Sequence, residues 1–155
     1  MTYRITGLSP EPFLHLIGAN EVELARANAV RVTANADRGF PCRITLEDAK
    51  TGETLILVNH VSHDVATPYR ASHAIFVREA YAEPSEYCDA TPPAFEQRVL
   101  SLRGFGVDGM MRDAKLAQPG EADGVIRALF ADGAIAYIHA HNAGAGCFAA
   151  KVERH

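Results

Sequence analysis

Short stretches of alternating or continuous apolar residues recur along the first half of the chain, which is the pattern of β-strands. This pattern predicts strands at 3–8, 29–34, 54–59 and 74–78. Between the first two, Ser9 precedes Pro10 and Pro12, and a serine cap with proline in the first turn predicts a short helix that runs to about Ile17.

The second half of the chain predicts two hairpins separated by a helix. Strands at 98–103 and 110–115 flank a glycine-rich turn, and strands at 134–142 and 146–153 close the chain. Residues 121–130 carry apolar side chains on one helical face, namely Val125, Ile126, Leu129 and Phe130. We expect this helix to be the principal one.

Residues 82–93 contain three prolines and polar neighbours, so they are predicted to form a surface connection. About 60 residues follow it, a length at which an independent core is marginal, so we place no domain boundary there and expect the strands on either side to share one sheet. The predicted fold is a single α+β domain over 1–155, with a mostly antiparallel β-sheet, one principal helix at 121–130 and a short N-terminal helix.

Composition excludes several classes of protein. The chain has 155 residues, of which 48% are hydrophobic and 22% charged, values typical of a globular domain. No apolar run approaches the roughly 20 residues of a membrane-spanning helix. The net charge of -4 and the lack of a basic cluster argue against a nucleic-acid partner. The N-terminus lacks a secretory signal pattern, so we expect a cytoplasmic protein without membrane partners.

The three cysteines are an odd number and lie far apart, which argues for reduced thiols. Cys42 directly precedes Arg43, and a thiol beside a guanidinium can act as a nucleophile if a basic histidine lies close. The alternative is a buried, inert cysteine. The glycine-rich segment 104–109 resembles a dinucleotide-binding string, but its position inside a hairpin excludes that role.

Two histidines lie in one predicted strand, at positions that share a face. His139 and His141 are two residues apart, and Cys147 follows after a glycine-rich turn. With a three-residue turn, Cys147 would lie opposite His141 and Ala149 opposite His139, which would assemble a ligand set for a divalent transition metal such as zinc. A four-residue turn would separate them. The alternative is that the histidines are half-buried, hydrogen-bonded strand residues and Cys147 is a core side chain.

A second histidine-rich stretch covers 60–73, which we expect to be largely a loop. It contains three histidines together with Asp64, Tyr69 and Arg70. The guanidinium of Arg70 could hold a carboxylate or phosphate group, because its planar fork matches both. The alternative is an ordinary surface salt bridge.

Four strings resemble one bacterial family, the domain-of-unknown-function family 1203: Phe40–Arg43, Pro68–Glu79, Asp108–Met111, and Tyr137–Asn142 with Gly146–Phe148. The resemblance covers nearly the whole chain and implies no particular activity. It implies a set of candidate positions without roles, namely Cys42, Arg43, Tyr69, Arg70, Ser72, His139, His141, Asn142 and Cys147.

Three functional hypotheses follow, and whether the protein is an enzyme stays open. In the first, segments 40–43, 60–73 and 139–147 form a small-molecule pocket. There His139 and His141 would bind a metal or act as acid and base, and the substrate contacts would come from Arg43, Tyr69, Arg70, Ser72 and Asn142. The second is a thiol-dependent enzyme that uses Cys42 or Cys147. The third is a non-enzymatic binding or interaction module, and an exposed sheet edge would suit a homodimer.

Overall fold

Nine strands form two antiparallel sheets in the computed structural model, which describes residues 1–155. The strands are β1 (Tyr3–Thr6), β2 (Val30–Thr33), β3 (Thr54–His63), β4 (Ala71–Arg78), β5 (Glu86–Cys88), β6 (Leu100–Phe105), β7 (Met111–Ala117), β8 (Tyr137–Asn142) and β9 (Phe148–Arg154). The larger sheet has the order β5-β1-β9-β8-β6-β7 and the smaller β2-β3-β4. The predicted α+β class with mostly antiparallel strands is confirmed.

The helices are few and short. They are α1 (Glu21–Arg26), α2 (Ala122–Phe130) and two 3-10 helices at Glu11–Leu16 and Pro93–Phe95. The predicted principal helix is therefore confirmed as α2, and the predicted N-terminal helix is a 3-10 helix. None of the helices is long and apolar enough to cross a membrane.

The larger sheet packs one face against α2. Ile126, Leu129 and Phe130 of the helix contact a cluster of 17 buried residues that includes Ile138 and Ala140 of β8. The alternation of β8 therefore directs its even-numbered side chains into this core, which leaves Tyr137, His139 and His141 on the opposite face.

The smaller sheet builds a second core of 11 buried residues. Alternate side chains of β3 and β4, among them Ile56, Val58 and Ile75, pack against Phe13 and Leu16 of the first 3-10 helix. Because side chains two residues apart share a face, His60 and His73 extend this apolar face toward the ends of the two strands.

The strands before and after the 82–93 connection were expected to share one sheet, but the structure has two sheets. Only β1 from before the 82–93 connection joins the later strands, and β2, β3 and β4 form their own sheet. The connection itself contributes β5, which pairs with β1. β1 belongs to the sheet of the later strands because it pairs with β9 at the far end of the chain. No local sequence pattern encodes such a long-range pairing.

Two further elements differ from the sequence prediction. His60 and His63 lie in β3 rather than in a loop, since the pairing with β4 continues through His60 opposite His73 to a bulge between Val61 and His63. The α1 helix was not predicted. Its signal is a capping box, in which the Asn20 side chain accepts from the Glu23 amide and the Glu23 carboxylate accepts from the Asn20 amide.

Gly7 allows the end of β1 to contact the segment that carries Arg43. A Cβ atom at Gly7 would lie 1.8 Å from the carbonyl oxygen of Ile44, so backbone must move. We predict that Gly7→Ala lowers the free energy of unfolding by about 2 kcal/mol or more. Urea unfolding checks this. The matched control is Gly124→Ala in α2, where no atom lies within 4 Å of the added Cβ and helix propensity should stabilise the protein by about 0.5–1 kcal/mol. Equal stability of Gly7→Ala and wild type would contradict the prediction.

Candidate functional site

Histidines from both sheets meet where the sheets face each other. The ring centroids of His63 and His139 are 4.9 Å apart, and those of His73 and His141 are also 4.9 Å apart. The ring centroids of His60 and of Phe148 in β9 are 6.4 Å apart. We call the five histidines the imidazole layer: His60, His63, His73, His139 and His141. The predicted shared face of His139 and His141 is confirmed, and each side chain is 3% exposed.

Backbone carbonyls and a phenol hold two of these rings. Nδ1 of His63 donates to the carbonyl oxygen of Tyr69 at 2.8 Å, so its Nε2 accepts from the Tyr137 hydroxyl at 2.7 Å. Burial raises the pKa of Tyr137, which keeps the phenol protonated as a donor. Nδ1 of His141 donates to the carbonyl oxygen of Gly146 at 2.9 Å. This bond ties β8 to the loop before β9.

His139 differs from its neighbours because its buried Nδ1 has no hydrogen-bond partner. Its ring is surrounded by other rings, and its centroid lies 5.5 Å from that of Phe105 and 5.1 Å from that of Phe148. An unpartnered buried nitrogen disfavours any added charge, since nothing replaces the lost hydration.

The rings of the imidazole layer are neutral at pH 7 where their shifts are resolved. Burial, together with smaller effects of the neighbouring His63 and His141, lowers the pKa of His139 to about 3. Burial likewise lowers the pKa of His141 to about 4, against the opposing effect of its bond to Gly146. Burial also lowers the pKa values of His60 and His73. These four histidines are therefore neutral polar side chains between the sheets.

The register of the last hairpin separates Cys147 from the two histidines. His141 lies opposite Phe148 and His139 opposite Lys151, with an irregularity between Ala140 and His141. The turn spans four residues, because the amide of Asn142 donates to the carbonyl of Cys147. Of the two registers that the sequence left open, the structure has the one with the four-residue turn, in which Cys147 does not lie opposite His141. No three histidine, cysteine, aspartate or glutamate side chains are grouped to hold a metal ion, so the predicted ligand set His139, His141 and Cys147 is not assembled.

Cys147 instead contacts a buried arginine and an amide. Nη2 of Arg43 donates to its Sγ at 3.2 Å, and Nδ2 of Asn142 donates to the same sulfur at 3.4 Å. The sequence prediction included all three residues, and the structure brings them together. Asn142 and Cys147 flank one turn, but Arg43 lies 104 residues before Cys147, which explains why spacing alone did not reveal the cluster.

Arg43 is 3% exposed and has no carboxylate partner. Its Nε donates to the carbonyl of Phe148 at 2.7 Å, and its Nη1 donates to the carbonyl of Pro41. Burial lowers the pKa of the guanidinium, and the nearby Cys147 opposes that shift. A guanidinium nevertheless stays protonated in proteins. The result is a buried positive charge without an acidic counter-charge.

The Arg43 guanidinium borders a cavity of about 450 Å³. We call it the Arg43 cavity, and its lining residues are Gly39, Pro41, Arg43, Ala74, Phe76, Arg98, Val99, Asn142, Gly144, Ala145 and Cys147. Its volume lies within the range of about 300–1,000 Å³ typical of ligand sites. Arg98 is the functional candidate that the sequence reasoning missed, because an isolated arginine before a strand carries no motif.

A larger cavity of about 590 Å³ shares Arg98 with the first but has a different character. Its lining is almost wholly charged or polar, with both signs present, and Arg98 pairs there with Asp48 at 2.8 Å. The larger cavity therefore has charges of both signs in its lining, whereas the Arg43 cavity is lined by arginines and no acidic residue.

The remaining predicted residues lie elsewhere. Cys42 is 1% exposed within the apolar cluster of the smaller sheet, a setting that argues against a nucleophile that must meet a substrate. Arg70 pairs with Asp64 at 3.1 Å on the surface, as the alternative interpretation expected. Tyr69 and Ser72 are exposed, and neither lines the Arg43 cavity. The carbonyl of Tyr69 serves only to hold His63.

The family comparison agrees with the resemblance seen in the sequence. A family described as "Protein of unknown function (DUF1203)" matches residues 39–154 of the 155-residue chain. The chain belongs to this family. The matched region contains Arg43, Asn142 and Cys147 and therefore all three members of the cluster at the cavity. No curated protein and no solved structure matches the chain.

The imidazole layer predicts a loss of stability in acid. An unfolded histidine has a pKa near 6.5, whereas His139 and His141 have folded pKa values of about 3 and about 4. Below pH 6.5 the unfolded chain therefore binds protons that the folded chain does not, so the free energy of unfolding falls as the pH falls. These two groups contribute up to about 3 kcal/mol per pH unit, over the range from about 6 to about 4.

Urea unfolding at pH 7 and pH 5 measures this dependence. His139→Phe keeps the ring shape and removes a group without hydrogen bonds, so we expect a smaller loss between the two pH values than in wild type. His15→Gln, a change at an exposed histidine, is the control and should retain the wild-type loss. If the free energy of unfolding of His139→Phe fell between pH 7 and pH 5 as much as that of wild type, the His139 ring would not be the source of the acid sensitivity.

Proposed function

We propose that this protein binds a small organic anion in the Arg43 cavity, with the Arg43 guanidinium as its charge partner. The observation that carries the proposal is a guanidinium only 3% exposed, beside a cavity and without any carboxylate. The anionic group would be a carboxylate or a phosphoryl group, because the planar fork of arginine donates two parallel hydrogen bonds to either.

The energetics favour an anion over an empty site. A buried charge without a counter-charge costs several kcal/mol, even after its hydrogen bonds are made. Two carbonyls and the Cys147 sulfur accept from three of the five N–H groups of Arg43, which leaves two N–H groups without an acceptor. A bound anion would accept these two bonds and compensate the charge.

The rest of the cavity supports a ligand with an anionic head and a small apolar body. Arg98 adds positive potential, although its own charge is paired with Asp48. Phe76, Val99 and Ala74 supply apolar wall. This combination of one charge partner with apolar surface is common in small-molecule sites.

The imidazole layer has a positioning role in this proposal. His139 and His141 are covered by the facing sheet and line neither cavity, so a ligand in the Arg43 cavity would not touch them. His141 would act through its bond to Gly146, which holds the loop before Cys147 in place. The acid, base and metal roles predicted for these histidines stay untested predictions.

The three cysteines are all free, which supports a reducing compartment such as the cytoplasm. A reduced Cys147 is also what the proposed site requires, since its sulfur accepts hydrogen bonds from Arg43 and Asn142.

Thermal unfolding with added anions tests the proposal. A ligand that binds only the folded state raises the melting temperature, and the rise grows with concentration. We expect inorganic phosphate and butyrate to raise it more than chloride does at equal ionic strength. Arg43→Gln should abolish this difference, because losing charge-assisted hydrogen bonds weakens binding by about 10–100-fold.

Two further variants make the result specific. Ala145→Trp fills the cavity from its exposed loop and should also abolish the anion effect, while leaving Arg43 and its bonds intact. Arg112→Gln removes an exposed arginine that pairs with Asp108, and it should behave as wild type. Equal responses of wild type to phosphate, butyrate and chloride would contradict the proposal.

A further inference from the structure

We propose that Cys147 is a nucleophile toward small anionic electrophiles that bind on Arg43. This inference rests on the proposed anion site and adds the chemistry that the site would perform. Its basis is the direct contact between the sulfur and the guanidinium at the edge of a cavity. A ligand whose anionic group occupied the free N–H groups of Arg43 would have its neighbouring atoms beside Sγ.

The contacts of Cys147 suit a nucleophile that acts on an anionic ligand. Arg43 and Asn142 both donate to Sγ, so the sulfur lies against the positive charge that would hold the ligand. No carboxylate contacts the sulfur. Donors and positive charge around a sulfur that is open to a cavity are the setting in which cysteines react.

The other two cysteines show the contrast. Cys42 is enclosed in the apolar cluster of the smaller sheet. Cys88 is exposed, but its sulfur donates to the Glu86 carboxylate at 3.7 Å, so a negative and not a positive charge lies beside it. Cys88 therefore provides an accessible internal control within the same molecule.

The proposed step is a displacement at carbon. The thiol of Cys147 gives its proton to solvent, and the resulting thiolate attacks a carbon adjacent to the anionic group of the ligand. A sulfur–carbon bond forms while the bond to the leaving group breaks, and the leaving group departs with the electron pair. No oxidant or cofactor is needed. The substrate class is therefore small carboxylates that carry an electrophilic carbon beside the carboxylate.

Iodoacetate and its neutral analogue iodoacetamide test this step. Both alkylate thiols with loss of iodide, but only iodoacetate carries a carboxylate for Arg43. Mass spectrometry of the full chain after timed reaction gives the rate at each cysteine. We expect Cys147 to react with iodoacetate at least about tenfold faster than with iodoacetamide, because binding positions the carbon at the sulfur. Cys88 should prefer iodoacetamide, since Glu86 repels the anion.

Variants and competition identify the source of the preference. Arg43→Gln should remove the iodoacetate preference at Cys147, and Arg112→Gln should retain it. Inorganic phosphate should protect Cys147 in wild type and leave Cys88 unprotected. This competition needs no variant, so it applies even if Arg43→Gln fails to fold.

The two proposals fail in different ways. If Cys147 reacts no faster with iodoacetate than with iodoacetamide, the nucleophile inference is overturned, and an Arg43-dependent rise in melting temperature with phosphate would still support the anion site. If phosphate and butyrate also have no effect beyond that of chloride, both proposals are wrong. A preference for iodoacetate that persists in Arg43→Gln would likewise overturn the inference.

Discussion

The buried guanidinium of Arg43 connects the two sheets, and the arrangement of the site depends on it. Its segment runs beside β4, with the amide of Arg43 donating to the carbonyl of Phe76 at 3.0 Å. From there the side chain reaches the larger sheet, where Nε donates to the carbonyl of Phe148 at the start of β9. A single residue thus bonds to both sheets and to the thiol of Cys147. Burying a charge in this position is costly, and the structure supplies no acid to offset it.

The imidazole layer fills the space between the two sheets at the same interface. The larger sheet is covered on both faces, by α2 on one side and by β3 and β4 on the other, and burial disfavours charge on the histidines of its second face. Their rings pack like aromatic side chains, and His63 and His141 also donate hydrogen bonds to backbone carbonyls. His141 uses its bond to hold Gly146, and the loop so fixed carries Asn142 and Cys147 to the cavity. In the proposed function, the histidines that look most like a reaction centre in the sequence therefore support a site formed by their neighbours.

The spacing of apolar residues and the composition were sufficient to predict the α+β class, the α2 helix and the common face of His139 and His141. These features depend on side chains close in sequence. The position of Cys147 in the last hairpin depends on the length of its turn, which has four residues and not three. This length leaves no compositional trace, and it places Cys147 opposite Asn142 and away from the histidines. The burial of Arg43 depends on β9, about a hundred residues later, so its neighbour Cys42 looked equally promising in the sequence. Arg70 and Tyr69 were predicted from side-chain chemistry and from the family resemblance, and only the fold shows that they lie outside the cavity.

The central claim is that the charge of Arg43 lacks a partner that a small anion supplies. Nuclear magnetic resonance of the arginine guanidinium groups tests it most directly, because each Nε–H signal reports on its own surroundings. We expect the Arg43 signal to shift saturably when inorganic phosphate or butyrate is added at constant ionic strength, while the signal of Arg112 on the surface stays in place. An Arg43 signal that neither anion moves would contradict the account and would leave its charge compensated by the protein alone.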